Sequence, residues 1–216
     1  MKAAPASSTQ PTTRFRVTDQ LLISLGLTAV FLGYFSVWLP GPSAGLRFIG
    51  LEMGEWIKFL GVDMSRNLFY LPPITLGLLL ALWTALWPNR RWQTWMMRGV
   101  AVAVSLLAFP AWEDFRGPSR IEYMPRIWLI GVVAVVSVLA ALWRQSEPKP
   151  VVNSLVWLLM AIVAIFGFVL PTWIYTTIKP VVEQSYQMSL GTGVGVLLND
   201  AGHLLITAVT LKKLAR

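Results

Sequence analysis

The chain contains no cysteine among its 216 residues. This absence excludes disulfide bonds, thiolate metal sites, iron–sulfur clusters and cysteine nucleophiles. Histidine is nearly absent as well, because His203 is the only one. Ligation of a haem by two histidines of this chain is therefore excluded. Metal sites of the zinc type need three or four protein ligands. We therefore expect neither a metal site nor a cofactor.

Charged residues are also scarce, at 13% of the chain, whereas 56% of the residues are hydrophobic. Soluble domains average about 25% charged and about 45–50% apolar residues. The mean hydropathy of +0.62 agrees with this departure. A soluble protein of this composition would lack the polar surface needed to cover itself, so the sequence predicts an all-α, polytopic membrane bundle.

Six segments have the length and apolar character of membrane-spanning helices, which need roughly 20 residues. The third is short and carries Arg98, and the sixth contains polar residues near its centre. The polar segment 1–18 is predicted to be disordered, and residues 19–216 to form a single transmembrane domain. The predicted spans are about 20–39, 68–87, 95–112, 125–143, 153–174 and 191–211.

Basic residues are distributed unevenly between the two sides that these spans define. With both termini on one side, that side holds eleven basic residues and two acids, whereas the other side holds seven of each. Positively charged loops stay in the cytoplasm. We therefore predict a multi-pass protein of the plasma or inner membrane with cytoplasmic N- and C-termini.

The first outer loop contains an amphipathic pattern over residues 46–60. Apolar residues recur there at helical spacing, and the charged residues fall on other faces. The pattern predicts a short helix lying on the outer membrane surface, with a helix that caps the bundle as the alternative. The apolar positions are Leu46, Ile49, Met53, Trp56, Ile57 and Leu60.

The sixth span places a polar cluster, Asn199, Asp200 and His203, near the middle of an apolar helix. The spacings i, i+3 and i, i+4 allow the three residues to share one helix face, and the Asp200 carboxylate is a candidate partner for the imidazole. Ionisable residues inside a membrane mark candidate functional sites. The alternatives are a hydrogen-bonded clamp between helices, a proton or substrate path, and a contact with lipid or another subunit.

Three glycines in and before the same span predict close helix packing. Gly191 and Gly195 form a G-x-x-x-G pattern, and Gly202 lies on a neighbouring strip. Small residues let helix backbones approach one another in lipid. These glycines therefore predict that the sixth span is an interior or interface helix.

The acids of the outer loops form a second, weaker candidate site. Glu52, Glu55, Glu113 and Asp114 could supply oxygen ligands or a general acid at the outer surface. Arginines follow them closely in the sequence, so solvated ion pairs are the expected arrangement. No sequence motif identifies a catalytic residue, and we assign none.

Three functional classes remain open. A structural or accessory subunit of a membrane assembly is the first, because catalytic motifs are lacking and the last span has a glycine-rich face. A small proton-coupled transporter that uses Asp200 and His203 is the second. An intramembrane enzyme acting on lipid is the third. The expected partners are the bilayer and other membrane subunits or a second copy, and not nucleic acid, because the basic residues near the cytoplasmic side suit anionic headgroups.

Overall fold

A computed structural model of the chain describes residues 17–41, 47–60, 64–118, 120–142 and 150–215. Helices dominate these ranges, and the strands described within them form one short antiparallel pair. In chain order the elements are α1 Val17–Phe35, β1 Val37–Pro40, β2 Arg47–Ile49, α2 Gly50–Trp56, α3 Leu71–Ala85, α4 Trp92–Ser105, α5 Trp112–Arg116, α6 Arg120–Leu142, α7 Pro150–Tyr186 and α8 Val194–Leu214. Of the segment predicted to be disordered, residues 1–16 lie outside the described ranges, and Val17 and Thr18 begin α1.

Five of the described helices are long and apolar enough to cross a membrane. Large apolar side chains stand exposed along them, for example Trp128 and Leu142 on α6, as expected where lipid replaces water around the protein. The fold is therefore an all-α membrane helical bundle. The five segments are Val17–Phe35, Ser65–Ala85, Arg120–Leu142, Val151–Tyr186 and Val194–Leu214.

The third predicted span, 95–112, corresponds to a helix too short for this group. α4 has 14 residues and continues as one 3₁₀ turn of three residues, which together measure about 27 Å. Its helical backbone stops before Phe109 because Pro110 disfavours that conformation in the preceding residue. The crossing of the membrane by this segment stays a prediction.

α4 nevertheless packs alongside α3 and α6. Arg98 is buried, and its Nη2 atom lies 3.3 Å from the carbonyl oxygen of Thr84 and 2.8 Å from that of Ala140. Both carbonyls belong to the last turns of their helices, where the regular i+4 amide donor is missing. A cation at these ends also offsets the helix dipoles, so Arg98 ties three helices together.

The chain after α1 departs from the prediction that the first span continues to residue 39. The helix ends at Phe35, and β1 pairs with β2 instead. The extended backbone of β1 lets Trp38 and Leu39 turn into the protein, where both are buried. Trp38 Nε1 donates a hydrogen bond of 2.9 Å to the carbonyl of Gly33, which satisfies a backbone group at the end of α1.

The amphipathic segment 46–60 is divided among β2, α2 and a 3₁₀ turn, Ile57–Leu60. Met53 and Ile57 are fully buried against the cluster that contains Trp38 and Phe69. The short helix predicted in this loop is present as α2, and the packing of Met53 and Ile57 on protein favours the capping alternative. Leu46 lies outside the described residues.

α7 is much longer than the predicted span 153–174, with 37 residues. It contains Pro171 and Pro180 within its length. The helix therefore continues past residue 174, where the predicted span ends. A proline inside a helix removes one backbone hydrogen bond, and the compensation for that loss involves α8, as described below.

Glycines bring α1 and α8 into backbone contact along an antiparallel pair. A Cβ atom added to Gly202 would lie 2.6 Å from the carbonyl oxygen of Gly26, and one added to Gly33 would lie 2.8 Å from that of Gly195. Such distances leave no room for a side chain. The two helices approach through glycines seven residues apart on each, the arrangement that close packing in lipid favours.

An ion-pair cluster joins the start of α1 to the end of α8, at what we call the Lys212 end of the bundle. Asp19 is 1% exposed, and its carboxylate oxygens lie 3.2 Å from Lys212 Nζ and 2.6 Å from Lys213 Nζ. The opposite end, where α2 packs, is called the Glu55 end. The ion pairs at the Lys212 end thus join the two glycine-lined helices.

We expect Gly202→Ala to lower the free energy of unfolding by about 1–3 kcal/mol, the usual result of overpacking, because the added methyl group meets the backbone of α1. Gly131→Ala on α6 is the matched control, since a Cβ atom there meets nothing within 4 Å. That change should be neutral or stabilising, because alanine favours helix over glycine. Thermal unfolding in mild detergent measures both, and equal effects would contradict backbone contact at Gly202.

Candidate functional site

His203 lies completely buried where α3, α7 and α8 meet. Its Nε2 atom is 3.0 Å from the hydroxyl oxygen of Thr75 on α3, and its Nδ1 atom is 2.9 Å from the carbonyl oxygen of Asn199 one turn earlier on α8. Both ring nitrogens therefore have partners. The histidine joins α8 to α3 through a side-chain contact.

The partners of His203 determine which nitrogen carries the proton. A carbonyl only accepts, so Nδ1 donates to Asn199, and in the neutral ring Nε2 accepts from the Thr75 hydroxyl. In the charged ring Nε2 would donate, and Thr75 would turn its proton to the carbonyl of Leu71 at 2.9 Å or of Pro72 at 3.1 Å. The contact with α3 is thus compatible with either protonation state.

Gly167 of α7 provides the space that the imidazole occupies. A Cβ atom at this position would overlap the His203 ring and would lie 2.8 Å from Thr75 Oγ1. Only glycine therefore allows the ring to lie against the backbone of α7. The sequence analysis missed this residue, whose only signal is its position one turn before Pro171.

Asn199 compensates for the proline in α7. Pro171 has no amide hydrogen, so the carbonyl of Gly167, four residues earlier, loses its helical donor. Asn199 is completely buried, and its Nδ2 atom donates to that carbonyl at 3.3 Å. A neighbouring helix thus satisfies the freed backbone group, as a membrane interior requires.

Asp200 does not pair with His203, contrary to the expectation from their spacing. Its Oδ1 atom accepts hydrogen bonds from Thr172 of α7 at 2.7 Å and from Asn199 at 3.2 Å. The imidazole faces α3 instead, so the i, i+3 neighbours contact different helices. The carboxylate is half-buried. Asp200 and Asn199 thus bind α8 to α7 through Thr172 and the carbonyl of Gly167.

The three predicted packing glycines have different surroundings. Gly195 and Gly202 lie on the face of α8 that contacts α1. Gly191 precedes the helix and is exposed, with only the Pro40 ring near its missing side chain. The G-x-x-x-G spacing of Gly191 and Gly195 therefore does not define a helix face, because α8 begins at Val194.

The four predicted outer-face acids do not form one cluster. Glu52 accepts a hydrogen bond from the amide of Ile49 at 3.2 Å, whereas Glu113 and Asp114 belong to α5. Within the described ranges, no group of three histidine, aspartate or glutamate residues could hold a metal ion. Glu55 alone joins a buried network.

That network, the Arg126 cluster, comprises Glu55, Tyr70, Tyr123 and Arg126 at the Glu55 end, together with Tyr34, whose hydroxyl is close enough to be affected by the charges of Arg126 and Glu55. Tyr70 donates a hydrogen bond of 2.6 Å to Glu55 Oε1, and Arg126 Nη2 lies 3.6 Å from the same oxygen. Arg126 is only 1% exposed. Glu55 therefore has two cationic partners, the partly exposed Lys58 at 3.3 Å and the buried Arg126 at 3.6 Å.

Glu55 remains an anion in this network. Burial raises the pKa of its carboxyl group, but the hydrogen bonds from Tyr70 and Lys58 and the charge of Arg126 outweigh burial and hold that pKa below its ordinary value. Gly54 makes the contact with Tyr70 feasible, because a Cβ atom there would overlap the tyrosine ring. The carboxylate thus lies between solvent and the buried guanidinium.

Comparison with protein-family models, curated proteins and solved structures found no match.

We expect Asn199→Ala to lower the free energy of unfolding by about 1 kcal/mol, because the Gly167 carbonyl loses its donor inside the bundle. Pro171→Ala restores a backbone amide that can bond to this carbonyl. In that background, Asn199→Ala should therefore be less destabilising. Unfolding of the four proteins of this double-mutant cycle in mixed micelles measures the coupling.

Pro180→Ala is the control for this cycle. It removes the other proline within α7, which is exposed and lies more than two helical turns beyond Pro171. It should leave the effect of Asn199→Ala unchanged. If Pro171→Ala and Pro180→Ala behaved alike, Asn199 would not be the donor that compensates for Pro171.

Proposed function

We propose that this chain is a structural or accessory subunit of a larger membrane assembly. The observation that supports this role is the engagement of the central polar residues of α8. His203 contacts α3, and Asn199 and Asp200 contact α7. In a transport or catalytic site, such polar groups would face a substrate. Here they form hydrogen bonds between helices.

The small extent of structure outside the membrane helices supports the same role. At the Glu55 end, the described chain adds the strand pair, the seven-residue helix α2 and the five-residue helix α5. The long apolar helices offer surface to lipid and to neighbouring subunits alike. The partners that we propose are therefore other membrane chains or a second copy of this one.

Purification in a mild detergent, from the cells that make the protein, tests this proposal. We expect one or more companion chains at constant stoichiometry, identified by mass spectrometry and chemical cross-linking. A tagged membrane protein of similar size, prepared in parallel, identifies chains that adhere to any bundle. A monodisperse single chain without companions would count against a subunit role.

A small proton-coupled transporter is the second candidate function. The observation that favours it is the half-buried Asp200 carboxylate near the middle of α8. If Asp200 carries protons, proteoliposomes should show proton flux under an imposed gradient, and Asp200→Asn should abolish it. Glu113→Gln, which changes an exposed acid on α5, is the control. Flux unchanged by Asp200→Asn would exclude this candidate.

We propose that the Lys212 end faces the cytoplasm of a plasma or inner membrane. Arg98, Lys212 and Lys213 lie at that end, and the positive-inside rule supports this orientation. A cysteine appended after Arg216 should therefore resist an impermeant thiol reagent in intact cells, whereas Glu113→Cys should react. The chain has no other cysteine, and reaction of the appended cysteine would reverse the proposed orientation.

A further inference from the structure

Arg126 is a buried cation held between two aromatic rings. Its guanidinium carbon lies 3.9 Å from the centroid of the Tyr70 ring and 4.7 Å from that of the Tyr123 ring. Contacts of this kind satisfy the faces of the planar group through cation–π attraction. They leave its edges, where all five N–H bonds point, for other partners.

In the described part of the chain, those edges have no acceptor in hydrogen-bonding geometry, although the hydroxyl of Tyr70 lies close to the guanidinium. Among the described residues, none accepts a hydrogen bond from Nε, Nη1 or Nη2 of Arg126, and the same holds for the buried hydroxyl of Tyr34. Glu55 Oε1, at 3.6 Å, is too distant for a hydrogen bond and already accepts one from Tyr70. Buried donors in proteins are nearly always paired, so these donors indicate a missing acceptor.

Arg126 also shares its anionic partner. Lys58 and Arg126 both contact the Glu55 carboxylate, at 3.3 and 3.6 Å, whereas Arg66 pairs with Glu122 at 2.8 Å. The Glu55 carboxylate is partly exposed and already accepts a hydrogen bond from Tyr70. An anionic ligand with several acceptor oxygens would supply the hydrogen bonds that Glu55 does not give to Arg126.

An open surface cleft of about 540 Å³ borders the Glu55 side of the cluster and is lined by Arg47, Phe48, Glu52, Glu55 and Trp56 among others. Arg126 and Tyr34 do not line it. Glu55 lines the cleft and also pairs with Arg126 at 3.6 Å, so its carboxylate links the cleft to the buried guanidinium.

We propose that Arg126 and Tyr34 form a binding site for a phosphate oxyanion, which enters through the cleft and displaces the Glu55 carboxylate. A guanidinium binds phosphate oxygens through two parallel hydrogen bonds. The cleft contains aromatic side chains and two basic residues, Arg47 and Lys58, beside the acids Glu52 and Glu55, so the phosphate group of a phospholipid and free phosphate are both candidate ligands. Glu55 occupies the place of the anion until the ligand arrives.

Calorimetric titration of the delipidated full-length chain in neutral detergent tests the proposal. The probes are short-chain phosphatidylglycerol below its micellar concentration, inorganic phosphate, and short-chain diacylglycerol, which lacks the phosphate. We expect saturable binding of one phosphatidylglycerol or one phosphate per chain and none of diacylglycerol. A preference for phosphatidylglycerol identifies a lipid as the source, and equal binding of phosphate identifies the free ion.

Three variants connect the binding to this site. Tyr34→Phe removes one hydroxyl and should weaken binding several-fold, whereas Glu55→Gln removes the competing carboxylate and should strengthen it roughly tenfold, as expected for one charge-assisted contact. Glu52→Gln is the matched control, since it removes an acid of the same cleft whose described hydrogen bond is to Ile49. It should have little effect.

The sign of the Glu55→Gln effect decides between a site and a purely structural network. A structural ion pair predicts lower stability and no gain in binding, whereas displacement predicts tighter binding. The proposal is overturned if neither phosphatidylglycerol nor phosphate binds, if diacylglycerol binds equally well, or if Glu52→Gln and Glu55→Gln strengthen binding alike. All three variants keep Arg126, so its burial does not confound the comparison.

Discussion

The polar contacts that join α8 to its neighbours centre on one hydrogen bond between a side chain and a main chain, from Asn199 to the carbonyl of Gly167. A membrane interior supplies no water to satisfy this carbonyl once Pro171 has removed its helical donor. The same asparagine presents its own carbonyl to His203 and its side chain to Asp200. The His203 imidazole in turn contacts Thr75 of α3. Asn199 is therefore connected, directly or through His203, to α3 and α7 as well as to its own helix α8.

The sequence predicts the class of fold and the interior position of α8 well, because both follow from composition and from helical spacing. It does not predict what the polar residues contact. The partner of Asn199 is a carbonyl 32 residues earlier in the chain, and only the packing of α7 against α8 brings the two together. For the same reason, Asp200 could be placed near His203 but not assigned to Thr172.

Other errors have local causes. The residues Val37–Pro40 continue the apolar run of α1, and an apolar run does not distinguish the end of a helix from a short strand. Arg126 lies at the very start of the predicted span 125–143 and is one of the seven bases assigned to the outer side, whereas α6 begins at Arg120 and buries it. The one available signal was Tyr123 three residues earlier, which places an aromatic ring and the guanidinium on one helix face.

The antiparallel contact of α1 with α8 has a consequence for biosynthesis. During translation, α1 is synthesised before the other described helices and α8 after them. The glycine-lined surface of α1 therefore enters the bilayer before α8 is available to cover it. Until translation reaches Val194, lipid or the insertion machinery must cover that surface. The contact between α1 and α8 can therefore form only after the last described helix has entered the membrane.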